Sequence, residues 1–177
     1  MAEAKPIVTI TGISGYIGSE VTALFLRDGG YRVRGTVRDK NNAAKIDPLK
    51  AAFGDELFAQ LELVEADLMN EESLVTAIAG STYVVHVASP FFMGKDEEAL
   101  ITPAVNGTNY VMIACKAAGV RRCVITSSVA SVQSVSAEDK PADLTYNESH
   151  WSNPDRPEGM SVYAKSKTLA EKAAWAF

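Results

Sequence analysis

Cysteine is nearly absent from this sequence: Cys115 and Cys123 are its two representatives in 177 residues. A pair is too few for the disulfide framework of a small secreted domain, and neither has a neighbour at metal-ligand spacing, so both read as reduced core thiols. Long apolar runs are missing as well. No stretch approaches the ~18 apolar residues of a membrane span. The opening Met1-Ala2-Glu3-Ala4-Lys5-Pro6 leads straight into a strand-like segment with no apolar leader, which sets the expectation of a soluble, cytoplasmic protein. An excess of positive charge is the third absence. Lys and Arg number 17 against 22 Asp and Glu, for a formal charge of −5, and the basic residues are scattered. There is no basic face for nucleic acid, so a small-molecule partner is expected. Repeats and low-complexity segments are lacking apart from an alanine enrichment near the C-terminus, and no segment marks an oligomeric state.

What is present is enough apolar material, 47% of residues, to bury one sizeable core, so residues 1–177 are expected to form one domain. Apolar β-branched runs at Ile7–Thr11, Arg32–Val37, Leu61–Glu65, Tyr83–Val87 and Cys123–Thr126 alternate with amphipathic stretches. That alternation predicts parallel strands joined by crossover helices. Ile17, Val21, Leu24 and Phe25 recur at helical spacing before Gly29-Gly30, and further helices are expected at Ala43–Phe53, Glu71–Ala79, Ala99–Ala118 and Val162–Phe177. The fold class is therefore α/β, a doubly wound, Rossmann-like parallel sheet, whose ligand site lies beyond the carboxyl ends of the strands. The polar interval Ser134–Gly159 reads as a long loop of the kind that carries function.

Thr11-Gly12-Ile13-Ser14-Gly15-Tyr16-Ile17-Gly18 follows a strand and opens a helix, the context of a dinucleotide phosphate loop. Gly12 permits the tight turn, Gly15 lets the backbone approach a pyrophosphate, and Gly18 allows helix to pack on strand; Tyr16 and Ile17 border the same loop. About 20 residues further on, where NAD-selecting folds place a carboxylate for the ribose 2′-OH, stands Val37, followed by Arg38. A guanidinium suits a 2′-phosphate, and Lys45 adds a second charge, so NADPH (NADP+ in its oxidised form) is the expected cofactor. Asp39 is the competing carboxylate.

Tyr163 and Lys167 lie four apart in a helix-like stretch, so both project from one face. An ammonium beside a phenol favours the phenolate and eases proton exchange with a carbonyl or alcohol oxygen. The fifth strand ends in Thr126-Ser127-Ser128, and a hydroxyl there polarises the oxygen that Tyr163 protonates.

The G-x-x-G-x-x-G spacing, the Tyr-x-x-x-Lys pair and the strand-end serines together resemble the extended short-chain dehydrogenase/reductase family. The resemblance implies that Ser128, directly before Val129-Ala130-Ser131-Val132, is the catalytic serine. It further implies that Asp67 and Leu68 meet the adenine, that Val87, Ala88 and Ser89 run beside the cofactor ribose and phosphates, and that Tyr163 and Lys167 also border the nicotinamide ribose. His86 in the same strand reads as a core residue. Arg34-Gly35-Thr36-Val37-Arg38-Asp39, Arg121-Arg122-Cys123-Val124-Ile125-Thr126-Ser127-Ser128 and Ser166-Lys167-Thr168-Leu169-Ala170-Glu171 are similar to the dihydroflavonol reductase/cinnamoyl-CoA reductase branch. That branch implies NADPH-dependent reduction of a ketone or aldehyde to an alcohol.

Three departures qualify the branch. Gln133 stands where dihydroflavonol enzymes carry Asn or Asp, and Met160-Ser161-Val162-Tyr163 replaces the Asn-Trp-Tyr-Cys-Tyr run of cinnamoyl-CoA reductases. The third is length: the chain is expected to stop before the final strands and the substrate-binding lobe. Two other readings share the loop: an NAD-dependent nucleotide-sugar epimerase or dehydratase, which Arg38 argues against, and a non-catalytic NAD(P)-sensing module, which Ser128, Tyr163 and Lys167 argue against.

Overall fold

A computed structural model describes residues 4–90, 97–135, 137–138, 140–155 and 160–177. The opening Met1–Glu3 and parts of the expected long loop, including Gly159, lie outside the described residues. In chain order the elements are β1 (Ile7–Thr11), α1 (Tyr16–Asp28), β2 (Arg32–Val37), α2 (Ala43–Phe53), α3 (Asp55–Phe58), β3 (Leu61–Glu65), α4 (Glu71–Ile78), β4 (Tyr83–His86), α5 (Glu97–Ala117), β5 (Arg122–Ile125), a single 3-10 turn at Val129–Ser131, and α6 (Val162–Ala176).

The chain divides into two compact units, residues up to Ala88 with Tyr110–Thr126, and Ser89–Asn109 with Ser127–Phe177. The first holds the sheet, five parallel strands in the order β3-β2-β1-β4-β5. Order and direction require right-handed crossovers that reverse between β1 and β4, which is the doubly wound arrangement. Strand alternation feeds two cores. On one face Val8, Ile10, Val33 and Val37 pack against Ala23 and Leu26 of α1 and Ile46, Leu49 and Phe53 of α2. On the other, Val84 meets Leu74 and Ile78 of α4 and Val111, Ala114 and Cys115 of α5.

Three helix boundaries have a clear local cause. Gly29, with φ +70°, ends α1 by donating its N–H to Phe25, a left-handed C-terminal cap. Asn70 opens α4 by accepting from the Ser73 N–H, and Ser161 opens α6 by accepting from Ala164, both side-chain N-caps. At the far end of α4, Arg34 donates to the carbonyls of Ala77 and Ala79 at 2.9 and 2.8 Å and pairs with Glu62 at 3.0 Å. The four-residue α3 has no sequence signal, being too short to show a period.

Both cysteines are free thiols of the second core. The neighbouring Cys123 thiol and burial hold Cys115 well above the ordinary thiol range, so it is a protonated core group. Among the described residues no helix is long and apolar enough to cross a membrane.

The second unit contains the 3-10 turn and α6, which pack on each other. Ser152, fully buried, ties the preceding loop to the turn. Its hydroxyl donates to Ala130 O at 2.7 Å and accepts from Ser134 N–H at 2.8 Å, while its own N–H reaches Ser131 O at 2.8 Å.

Candidate functional site

The glycine loop is hung from β2. Gly12, at φ +71°, turns the chain and donates its N–H to Thr36 Oγ1 at 3.1 Å, and the next amide, Ile13, donates to Thr36 O at 3.2 Å. Ile13 is fully buried and occupies space over Gly35, where a Cβ would come 2.5 Å from Ile13 Cδ1. A Cβ on Gly12 would come 2.9 Å from Ala88 Cα, and one on Gly18 would come 2.3 Å from Gly12 O. Both positions therefore need glycine for packing within the protein. Gly15 differs, since its nearest atom would be Gly12 O at 3.4 Å, an ordinary contact. As N-terminal cap of α1 it supplies no side-chain hydrogen bond, and the first turn carries no acidic residue. The start of α1 thus presents backbone amides and a partial positive charge, a donor set that fits a pyrophosphate. Tyr16 and Ile17, 87% and 49% exposed, stand at its rim.

Beside the loop lies a cavity of about 290 Å³ lined by Ser14, Val37, Arg38, Asp39, Asn42 and Lys45. Arg38 and Lys45 are exposed, and among the described residues neither belongs to a salt bridge. The carboxylate of Asp39 accepts the Asn41 N–H at 2.8 Å, so it shapes the turn that leads to α2. Asn42 caps α2 without a side-chain hydrogen bond.

At the other side of β1, Thr11 Oγ1 accepts the N–H groups of Val87 and Ala88 at 3.1 and 3.0 Å and lies 2.8 Å from His86 Nδ1. With both lone pairs engaged, the Thr11 hydroxyl points its proton at Nδ1, which assigns a neutral imidazole carrying hydrogen on Nε2. His86, 4% exposed, is a core residue. Asp67 is exposed and accepts the Met69 N–H at 2.8 Å; the cap of α4 is Asn70. Leu68 is half-buried and Ser89 exposed.

The second unit carries the hydroxyl, phenol and ammonium. Ser128 caps the 3-10 turn, its Oγ accepting the Ala130 N–H at 3.1 Å. That bond uses an acceptor site and leaves the Ser128 O–H as a donor, whereas the Ser127 hydroxyl donates to Glu171. Tyr163 lies in the first turn of α6 and Lys167 one turn later, on the helix that packs against the turn opened by Ser128. Lys167 is 8% exposed. Burial lowers its pKa from the ordinary lysine value, and the carboxylate of Glu171 opposes that shift.

The sequence profile of the NAD dependent epimerase/dehydratase family matches residues 8–177. The chain belongs to that family. Its relatives within the family are reductases by name. Dihydroflavonol 4-reductase of Zea mays is 43% identical over 99% of this chain and 49% of its own length. Tetraketide alpha-pyrone reductase 1 of Arabidopsis thaliana is 39% identical over 100% of this chain and 54% of its own. Among solved structures, yeast methylglyoxal/isovaleraldehyde reductase Gre2 complexed with NADPH superposes with a TM-score of 0.79 at 33% identity, covering 97% of this chain and 52% of that one. Vestitone reductase from alfalfa gives 0.75 at 31%, covering 98% and 52%. The chain spans about half the length of these relatives.

For this member of the family, the structure gathers Gly12, Gly15, Gly18, Arg38 and Lys45 in the first unit, and Ser128, Tyr163 and Lys167 in the second. Sequence reading missed Thr36, which suspends the loop; Thr11, which holds the end of β4; Ser152, which anchors the 3-10 turn; and Glu171. Ser and Thr are common enough in any sequence that only their long-range partners single these out.

Proposed function

We propose that this chain is the nucleotide-binding and proton-donating part of an NADPH-dependent reductase that converts a ketone or aldehyde to an alcohol. The observation that carries the reading is the cavity beside the phosphate loop, where, among the described residues, Arg38 and Lys45 form no salt bridge with a carboxylate and the strand-end position expected to bear an acid is Val37. Two cations in a partly enclosed pocket favour a phosphate over a hydroxyl. The names of the relatives support reduction, and the NADPH of Gre2 supports the cofactor.

In this reading the amides at the start of α1 hold the pyrophosphate, Arg38 and Lys45 the 2′-phosphate, and Asp67 with Leu68 the adenine. Val87, Ala88 and Ser89 run beside the ribose and phosphates. NADPH, when bound, supplies hydride to the carbonyl carbon. Ser128 offers its hydroxyl proton to the carbonyl oxygen as negative charge develops there. Tyr163 gives the phenolic proton to that oxygen, and Lys167 stabilises the phenolate left behind.

The test is a paired titration of the chain with NADPH and NADH, followed by nucleotide fluorescence. NADPH is expected to bind more tightly, and Arg38→Ala to reduce its affinity about 10- to 100-fold, the effect of one charged hydrogen bond, with little change for NADH. Tighter binding of NADH by the unaltered chain would sink the assignment.

A further inference from the structure

We propose that Glu171 is a positioning residue of the Ser128/Tyr163/Lys167 site: its carboxylate engages the Ser127 hydroxyl, leaving Ser128 as the donating serine, and its charge balances the buried ammonium of Lys167. The inference rests on the reading of Lys167 as part of the proton-donating site.

Three observations carry it. Glu171 is held at both oxygens, receiving the Ser127 hydroxyl at Oε2 and the Trp175 indole N–H at Oε1, the latter at 3.4 Å. Ser127 in turn lies 3.4 Å, oxygen to oxygen, from the fully buried Ser131, so the carboxylate is anchored to the 3-10 turn on which the site is built. Finally, Glu171 follows Lys167 by one helical turn, and Lys167 is 8% exposed. An ammonium so buried needs a nearby opposite charge or it gives up its proton.

An ordinary surface pair does not explain this arrangement. Lysine four residues before glutamate is the less favourable order for a helix pair, and surface pairs do not bury the lysine. The other two lysines of α6 have partners of their own. Lys165 pairs with Glu97 at 2.9 Å, and Lys172 lies over the Trp151 ring at 5.5 Å. The 3-10 turn packed against α6, Val129–Ser131, has no titratable side chain. Within α6 the phenol of Tyr163 precedes Lys167 by one turn, and Glu171 is the carboxylate that follows it.

The experiment follows the Lys167 13Cε and 15Nζ resonances against pH in lysine-labelled chain, assigned with Lys167→Arg. Glu171→Gln keeps an oxygen to accept from Ser127 but removes the charge, and Ser127→Ala keeps the charge but removes the tether. Circular dichroism verifies folding. In the unaltered chain the midpoint is expected below the ordinary 10.5, and Glu171→Gln should lower it further by about 1 pH unit, the scale of a neighbouring opposite charge. Ser127→Ala should lower it by part of that amount as the carboxylate swings away. Superimposable curves for the unaltered chain and Glu171→Gln would overturn the inference. Should Glu171→Gln not fold, an unmoved midpoint in Ser127→Ala overturns it instead. The titration needs neither cofactor nor turnover, so its failure is distinct from failure of the reductase reading, which the nucleotide titration tests.

Discussion

Two glycines of the phosphate loop are required by backbone packing, and their replacement has a cost that can be measured. A Cβ on Gly18 would meet Gly12 O at 2.3 Å, and a carbonyl cannot rotate away as a flexible side chain can. Gly18→Ala is expected to destabilise the chain by roughly 1–3 kcal/mol, the range for overpacking, as read by urea unfolding, and to weaken NADPH binding. Gly15→Ala should leave stability nearly unchanged while weakening NADPH, because the added methyl meets only an ordinary contact in the protein. Equal destabilisation by the two would contradict this division of roles. Lys167 makes a second residue-scale prediction. Its folded pKa is lowered by burial, so the unfolded chain binds the proton more readily than the folded one. Stability from this group is fully present above the unfolded value of 10.5 and is lost as pH falls through the folded value. Urea unfolding between neutral pH and 10.5 should therefore show stability rising with pH, and Lys167→Met should flatten that rise.

At the scale of elements, side-chain hydroxyls decide where strands and turns stop. The expected β4 ran to Val87, but the strand ends at His86 because the Val87 and Ala88 amides turn to Thr11 Oγ1. The 3-10 turn depends in the same way on Ser152. Ser152→Ala would leave the Ala130 carbonyl and the Ser134 amide without their partner. The expected loss is about 1–3 kcal/mol, the penalty for buried polar groups left unpaired, and thermal melting of the variant checks it. An unchanged melting temperature would mean the loop holds the turn by other contacts.

For the whole molecule, the chain spans about half the length of its relatives, and the two roles proposed for it can be tested separately. The phosphate loop and the cation-lined cavity lie together in one compact unit, so residues 1–177 are expected to bind NADPH on their own. Saturating NADPH, at about 100 times its dissociation constant, should stabilise the chain by roughly 2.7 kcal/mol, seen as a rise in melting temperature. Turnover of a panel of ketones and aldehydes is expected to fall far below that of a full-length relative. Comparable turnover would show that this half suffices for substrate binding.

Much of this protein is determined locally. Apolar β-branched runs and the amphipathic stretches between them placed all five strands to within a residue, because burial on both faces of a parallel sheet calls for near-continuous apolar strands. The loop glycines were legible for the same reason: few residues other than glycine accept Gly12's positive φ or Gly18's approach to a carbonyl. Arg38 and Lys45 were legible as charges, but their shared cavity, and the diversion of Asp39 into a turn, depend on how β2 and α2 meet. Tertiary structure alone chose the hydrogen-bond partners of the hydroxyls. Thr11, Thr36, Ser127 and Ser152 are unremarkable in sequence, since a short polar side chain takes its role from whatever backbone or carboxylate the fold brings within 3 Å or so. The same holds for Glu171, whose neighbours in sequence give no sign of the serine it meets.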